Sequence, residues 1–259
     1  MSEDTAGAWC DAGHRIDRAR EGYLHLLPAG RLRGRVPGDR ADMLAARRAL
    51  FDAGHYRPVQ DAVAAAVTAA RPAIVLDAGC GEGTYLAAVD APIRLGIDVA
   101  KPGIRLAARR WPECRFAVAS SFQLPLDDDS VDAVVSVFAP RAFAEFARVL
   151  RPGGMAVVAS PGPDHLAGVT TLIYGEVRPH EQRPHTADDP ELPSAPVQRV
   201  RVRYELALRT SADVEHLVRM TPYWWTATPA QRADLARRER LDTTVDVIVT
   251  VHDLGLRPG

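Results

Sequence analysis

The feature that most constrains this chain is a turn with glycines at three alternate positions, Gly79-Cys80-Gly81-Glu82-Gly83, placed just after the apolar run Ala73-Ile-Val-Leu-Asp77. A short run rich in β-branched residues that ends in glycines reads as a buried strand leaving through a tight turn. With no Cβ atoms in the way, the turn can bend sharply and a ligand can lie against its backbone. The spacing is G-x-G-x-G, whereas the dinucleotide fingerprint G-x-G-x-x-G sets a pyrophosphate on a helix N-terminus. Asp77, two residues before the first glycine, would repel a pyrophosphate but suits an ammonium. Asp98, at the end of the next apolar run, is placed to accept both hydroxyls of a ribose. An ammonium beside an adenosine ribose points to S-adenosylmethionine, with Asp77, Gly79, Gly81, Gly83 and Asp98 as cofactor-binding residues.

The rest of the middle section agrees. Arg94–Asp98, Cys114–Val118, Val131–Phe138 and Met155–Ala159 repeat the apolar, β-branched pattern, and helix-like segments at 102–110 and 142–150 separate them. Strands buried on both faces and alternating with helices spell a parallel sheet with right-handed crossovers. Further on, Gln198–Tyr204 alternates with period two, Ser211–Met220 and about 229–240 read as helices, and Thr243–Val251 reads as a last strand. The expected fold is therefore α/β and Rossmann-like, a class I S-adenosylmethionine-dependent methyltransferase with a mainly parallel, seven-stranded sheet. Residues 51–259 form that domain, with a proline-rich insertion at about 161–197, and residues 1–50 form a short N-terminal module and connection. Ser120 and Ser121, after the third strand, stand where this architecture places the adenine edge. Asp127-Asp-Asp129 reads as a solvated acidic turn, since carboxylates without a spaced histidine do not select a metal.

Composition excludes several classes. In 259 residues the net charge is -1, with 47% hydrophobic and 25% charged residues, which argues for a globular domain and against a generally basic nucleic-acid coat. Three cysteines, Cys10, Cys80 and Cys114, are too few and scattered for a disulfide framework and suggest a reducing, cytoplasmic setting. No apolar stretch approaches the roughly 20 residues of a bilayer span, so no membrane partner is expected. Basic residues gather in two stripes: Arg31, Arg33, Arg35, Arg40, Arg47 and Arg48, and then Arg199, Arg201 and Arg203, the last three on one face of a strand.

Several strings go beyond the glycine turn: Arg20-Glu-Gly-Tyr-Leu-His-Leu-Leu-Pro28, Asp52-Ala-Gly-His-Tyr56, Pro161-Gly-Pro-Asp-His-Leu166 and Met220-Thr-Pro-Tyr-Trp224. With these the chain resembles, from about residue 10 onward, the bacterial large-subunit (23S) ribosomal RNA guanine-N1 methyltransferases, a family that includes macrolide-resistance methylases. The resemblance implies methyl transfer from S-adenosylmethionine to N1 of a guanine in an RNA hairpin. It implies that Tyr56 and His165 complete the cofactor site beside Gly81, Glu82 and Asp98. Members of the family begin with a zinc ribbon of a Cys-x-x-Cys pair, a Cys and a His. Here Cys10-Asp-Ala-Gly-His14 matches the second half and no cysteine precedes Cys10, so a degenerate ribbon without bound metal is expected.

Acceptor-side candidates follow from position. His165 lies after the fifth strand, at the mouth where open α/β sheets bind ligands, and Phe138 ends the fourth; these two are the candidates for a catalytic role. Arg31, Arg33 and Arg35 are candidate phosphate contacts. Trp224, with Tyr223 and Trp225, either stacks on an extruded base or packs against the proline-rich stretch. Two partners stay open, an rRNA hairpin or a small-molecule acceptor of natural-product tailoring or resistance, and a homodimer is also compatible.

Overall fold

The computed structural model describes residues 2–4, 6–9, 13–27, 40–177 and 196–254. Three short strands, β1 (Ser2–Glu3), β2 (Gly7–Trp9) and β3 (Arg15–Asp17), pair antiparallel into a small N-terminal sheet. Its first turn is held by the Asp4 carboxylate, which accepts the N–H groups of Ala6 and Gly7 at 2.7 and 2.9 Å. The chain continues through β4 (Leu24–His25), α1 (Ala41–Asp52), α2 (Arg57–Thr68), β5 (Ile74–Ala78), α3 (Thr84–Ala87), β6 (Ile93–Asp98), α4 (Lys101–Arg110) and β7 (Arg115–Val118). Then come β8 (Val131–Val137), α5 (Phe143–Val149), β9 (Leu150–Pro161), α6 (Ala167–Tyr174), β10 (Gln198–Leu208), α7 (Ser211–Arg219), α8 (Tyr223–Thr226), α9 (Pro229–Arg237) and β11 (Leu241–Asp253).

The large sheet has eight strands in the order β10-β11-β9-β8-β5-β6-β7-β4. Its parallel strands β4 to β9 carry helices on their faces, and β11 inserts antiparallel between β9 and β10. The order reverses between β5 and β8, and that reversal opens a crevice beyond the carboxyl ends of the strands. Val75, Leu76, Ala133, Val134 and Val135 are wholly buried in the two central strands, which is why those runs lack the alternation of a half-solvated sheet. Outermost β10 shows the opposite behaviour, with Gln198, Arg199, Val200 and Arg201 all exposed.

Local chemistry explains the helices. In α2 a proline occupies the first turn, and Val59, Val63, Ala66 and Val67 line one buried face at helical spacing. Thr210 caps α7 by accepting the Asp213 N–H, while Thr228 and Gln231 form a reciprocal capping box on α9. Beyond the seven expected strands there is an eighth. Leu24 and His25 pair parallel with Ala117 and Val118, and the Leu26 N–H donates to the Val118 carbonyl. Two residues are too short a run to show periodicity, so this strand was illegible in the pattern. Residue 50, the expected boundary, falls inside α1, and β4, which precedes it, pairs with β7 of the large sheet. Of the proline-rich stretch the described part holds the one short helix α6, and residues 178–195 lie outside the described residues, as do Cys10, Arg31, Arg33 and Arg35.

Candidate active site

The glycine turn sits at the end of β5, in the crevice that the topology creates. Gly79 has φ +94°, and a Cβ there would lie 2.5 Å from the Cβ of Ala139, so neither the backbone conformation nor the space admits a side chain. The N–H groups of Gly79 and Cys80 both donate to the Ile97 carbonyl at 2.9 Å, which ties the turn to the end of β6. There Asp98 accepts the N–H of Gly81 at 2.9 Å on one oxygen and that of Ala100 at 2.7 Å on the other. The two bonds, one on each oxygen, fix the orientation of the carboxylate and leave further lone pairs to accept.

Around the turn lies a concentration of buried polar atoms that have no hydrogen-bond partner. Both carboxylate oxygens of Asp77, both of Glu82, the hydroxyls of Tyr56 and Tyr85, Thr84 Oγ1 and His55 Nε2 are all in this condition. Buried polar groups are nearly always paired, so a cluster of orphans marks a place shaped for something polar that the protein itself does not supply. Asp77 is 1% exposed, and burial, reinforced by the nearby charge of Asp98, pushes its carboxyl up to about 8. Burial also raises Glu82, against the opposing pull of Arg47 and Arg48; the Arg48 Nε lies 3.8 Å from its carboxylate. Tyr56 and Tyr85 are pushed well above the ordinary phenol range by burial.

His165 lies on the loop between β9 and α6. Its Nδ1 accepts the backbone N–H of Asp246 at 3.2 Å, its ring stacks on Phe138 with centroids 5.6 Å apart, and the Tyr56 ring meets it edge-on at 6.4 Å. Phe138 is 41% exposed and has φ +53°, a left-handed conformation rarely adopted by an aromatic residue. Thus Tyr56, His165 and Phe138 form a continuous aromatic line from the orphaned polar cluster to the open mouth.

Other expected residues divide. Ser121 is buried at the end of β7, and the Ser120 hydroxyl accepts the N–H of Phe122 at 3.2 Å, a local turn bond. Of the two readings given for Trp224, stacking on a base or packing, its surroundings match packing. It is 8% exposed, with the guanidinium groups of Arg219 from α7 and Arg232 from α9 over its ring at 4.6 and 5.5 Å. The stripe on β10 is also partly spent. Arg201 makes paired bonds of 2.8 Å to Asp246, and both Arg201 and Arg203 reach Asp164. Tyr85, next to the glycine turn, and Phe122, an exposed ring beside the expected adenine edge, were missed; the only sequence signal was their place beside already recognised motifs.

An S-adenosylmethionine ligand fits these residues. The unpartnered carboxylate of Asp77 suits its ammonium, Asp98 its ribose hydroxyls, and the open turn its close approach to backbone. The strand order and this site define a class I S-adenosylmethionine-dependent methyltransferase. A family model described as "Methyltransferase domain" matches residues 75–154, and one described as "RlmA, N-terminal" matches residues 1–35. The chain is 38% identical to a Micromonospora griseorubida protein over 96% of this chain and 90% of that one, and 31% identical to YxjB of Bacillus subtilis over 93% and 88%. Both carry the name of a 23S rRNA (guanine-N(1)-)-methyltransferase. A 23S rRNA (guanine(748)-N(1))-methyltransferase of Streptomyces fradiae is 42% identical over 67% of this chain and 64% of that one. The chain belongs to this 23S rRNA guanine-N1 methyltransferase family.

The zinc that the family's N-terminal ribbon implies does not fit the residues given. Of the three cysteines, Cys80 and Cys114 are buried in the methyltransferase domain, which leaves Cys10 and His14 as two of four ligands. Among the described residues no group of three or more His, Cys, Asp or Glu could hold a metal ion. No described helix is long and apolar enough to cross a membrane.

Proposed function

We propose that the chain methylates N1 of a guanine in 23S rRNA, with S-adenosylmethionine as methyl donor. The observation that carries this reading is the placement of an exposed aromatic wall, Phe138 on His165, directly beside a buried cluster of unpartnered polar atoms, in a chain aligned almost end to end with relatives so named. When bound, the donor supplies an electrophilic methyl on a positively charged sulfur. The residues then have to orient two partners along one axis and manage one proton.

Orientation on the donor side falls to Asp77 for the ammonium, Asp98 for the ribose, the Gly79–Gly83 backbone for close approach, Glu82 and the Tyr56 hydroxyl for further polar contacts, and Ser120 and Ser121 for the adenine edge. On the acceptor side the exposed face of Phe138 offers a stacking surface for an extruded base. Guanine N1 carries a proton; its loss to water leaves negative charge shared between N1 and O6, and attack of N1 on the methyl then neutralises that charge as the sulfonium becomes a neutral thioether. Because Nδ1 of His165 accepts the Asp246 N–H, the neutral ring carries its proton on Nε2 and presents a donor there. A donor suits the charge on O6 better than it suits removal of the N1 proton. For the RNA backbone, Arg199 stands exposed on the outer strand beside the ion-paired Arg201 and Arg203.

The test is transfer of labelled methyl groups from S-adenosylmethionine to protein-free 23S rRNA, run beside a metabolite extract. Label in RNA, mapped to guanine N1, is the expected result. Label confined to a small-molecule fraction overturns the reading and assigns a different acceptor. Light scattering on the same preparation decides between monomer and homodimer.

A further inference from the structure

The acids around the glycine turn account for the positive and hydroxylic parts of the cofactor, but S-adenosylmethionine also carries a carboxylate on the same carbon as its ammonium. Asp77, Glu82 and Asp98 all repel it. A cation on the opposite side of the site would offset that repulsion. The cations come from α1, the helix that precedes the methyltransferase motifs. A Cβ placed on Gly81 would lie 3.4 Å from a terminal nitrogen of Arg47, so the guanidinium rests directly over the central glycine of the turn. The next residue, Arg48, is turned toward Glu82, with its Nε 3.8 Å from that carboxylate. Arg110, the third cation near Glu82, is bound by Asp52 and lies over the Trp111 ring.

We infer that Arg47 receives the carboxylate of the cofactor's methionine part, so that α1 is a wall of the cofactor site and the selectivity for an intact amino-acid tail is carried by this helix. The inference rests on the reading of the glycine turn as the cofactor site. Two observations support it beyond the contact with Gly81. The charge of Arg47 opposes the burial-driven rise of Glu82, Tyr56 and Tyr85, whose polar atoms are buried and unpartnered. And α1 packs against α7 and α4, with Leu44, Ala46 and Leu50 buried, so its arginines are presented from an anchored helix. A guanidinium can meet a carboxylate with two parallel bonds, which a lysine at the same place could not do.

The experiment is equilibrium binding by calorimetry, without methyl transfer, of two ligands that differ in one group. S-adenosylhomocysteine carries the carboxylate, and its decarboxylated analogue lacks it. The native chain is expected to prefer the former by about 10- to 100-fold, the range of a charge-assisted bond in a partly buried site. Arg47→Met is expected to lose that preference while binding the decarboxylated analogue as the native chain does. Arg47→Lys should keep part of it, and Arg48→Met should keep all of it. An Arg47→Met protein that retains the full preference, or that weakens both ligands equally, overturns the assignment. Should Arg47→Met fail to fold, Arg47→Gln and Arg47→Lys are read by the same ratio. A native chain that binds neither ligand sinks the cofactor-site reading itself, which distinguishes that failure from the failure of the Arg47 assignment.

Discussion

Asp77 and Asp246 are equally buried, at 1% and 0% exposure, yet the protein treats them in opposite ways. Asp246 is gripped by paired bonds from Arg201, accepts the Asp164 N–H at 3.0 Å, and has its carboxyl held below the usual carboxylate range, chiefly by the Arg201 bonds. Asp77 has no partner on either oxygen, and burial lifts its carboxyl to about 8. A chain able to satisfy one interior carboxylate so fully could have satisfied the other. The contrast separates a carboxylate that ties β10 and β11 to the loop after β9 from one kept open for a positively charged ligand.

The largest test of this contrast is Asp77→Asn. It should weaken S-adenosylhomocysteine binding by about 100-fold, through loss of a charge-assisted contact with the ammonium. It should also abolish a pH dependence. In the native chain the ligand's ammonium needs Asp77 ionised, so affinity should rise with pH, by up to about tenfold per unit, and level off above about 8. Stability of the ligand-free protein should run the other way. Between 3.8, the ordinary carboxylate value, and about 8 the folded chain holds a proton that the unfolded chain has released, so stability falls as pH rises across that window, by at most about 1.4 kcal/mol per unit. Asp77→Asn should flatten both curves; calorimetric titrations and melts from pH 5 to 9 would show it, and a native chain flat in both would leave Asp77 without the role assigned to it.

Next in size is Asp98→Ala, which removes the ribose acceptor and the two N–H bonds that anchor the turn. A loss of about 1–3 kcal/mol in ligand binding is expected, with unchanged affinity in the same titration counting against the ribose contact. Asp246→Asn sharpens the comparison from the structural side. It should cost about 1–2 kcal/mol of folding stability, the lower part of the range because its partner Arg201 is half-exposed and screened. Ligand affinity should stay within twofold, and a large loss of affinity instead would show that the two aspartates belong to one site. The lowered carboxyl of Asp246 stabilises the fold above the unfolded value of 3.8, and that contribution disappears as pH falls through the lower folded value. Smallest is Arg199→Gln, expected to leave ligand binding intact and to reduce the slope of log affinity for 23S rRNA against log salt by about 0.7–0.9, the share of one phosphate contact. An unchanged slope would place the RNA elsewhere.

The legible parts of this molecule were those with long or repeated patterns. The strand runs at 73–77, 94–98 and 131–138 were visible because burial on both faces forces continuous apolar sequence, and the glycine turn because three glycines at alternate positions serve few other purposes. His165 and Tyr56 stood out only through the strings around them, not through their own chemistry. Arg47 was seen as one of a stripe, with no means of telling it from Arg48, since which of two neighbouring arginines faces a glycine depends on the rotation of α1 against the sheet. Trp224 stays open between stacking and packing in the sequence, because a pair of tryptophans looks alike whether solvent or arginines cover the rings. Only the three-dimensional placement of Arg219 and Arg232 decides it.

The two-residue strand β4 has an effect out of proportion to its length. Without it, β7 would be an outer strand whose backbone N–H and carbonyl groups face outward as a ready template for another chain. Leu24 and His25 occupy that rim, so the N-terminal segment works as a guard against edge-to-edge aggregation. The pairing is long-range, from residue 24 to 117, but β4 is synthesised first and is already present when β7 emerges. A chain shortened to begin after residue 27 would keep every residue assigned here to the cofactor and would be expected to lose its solubility before its affinity.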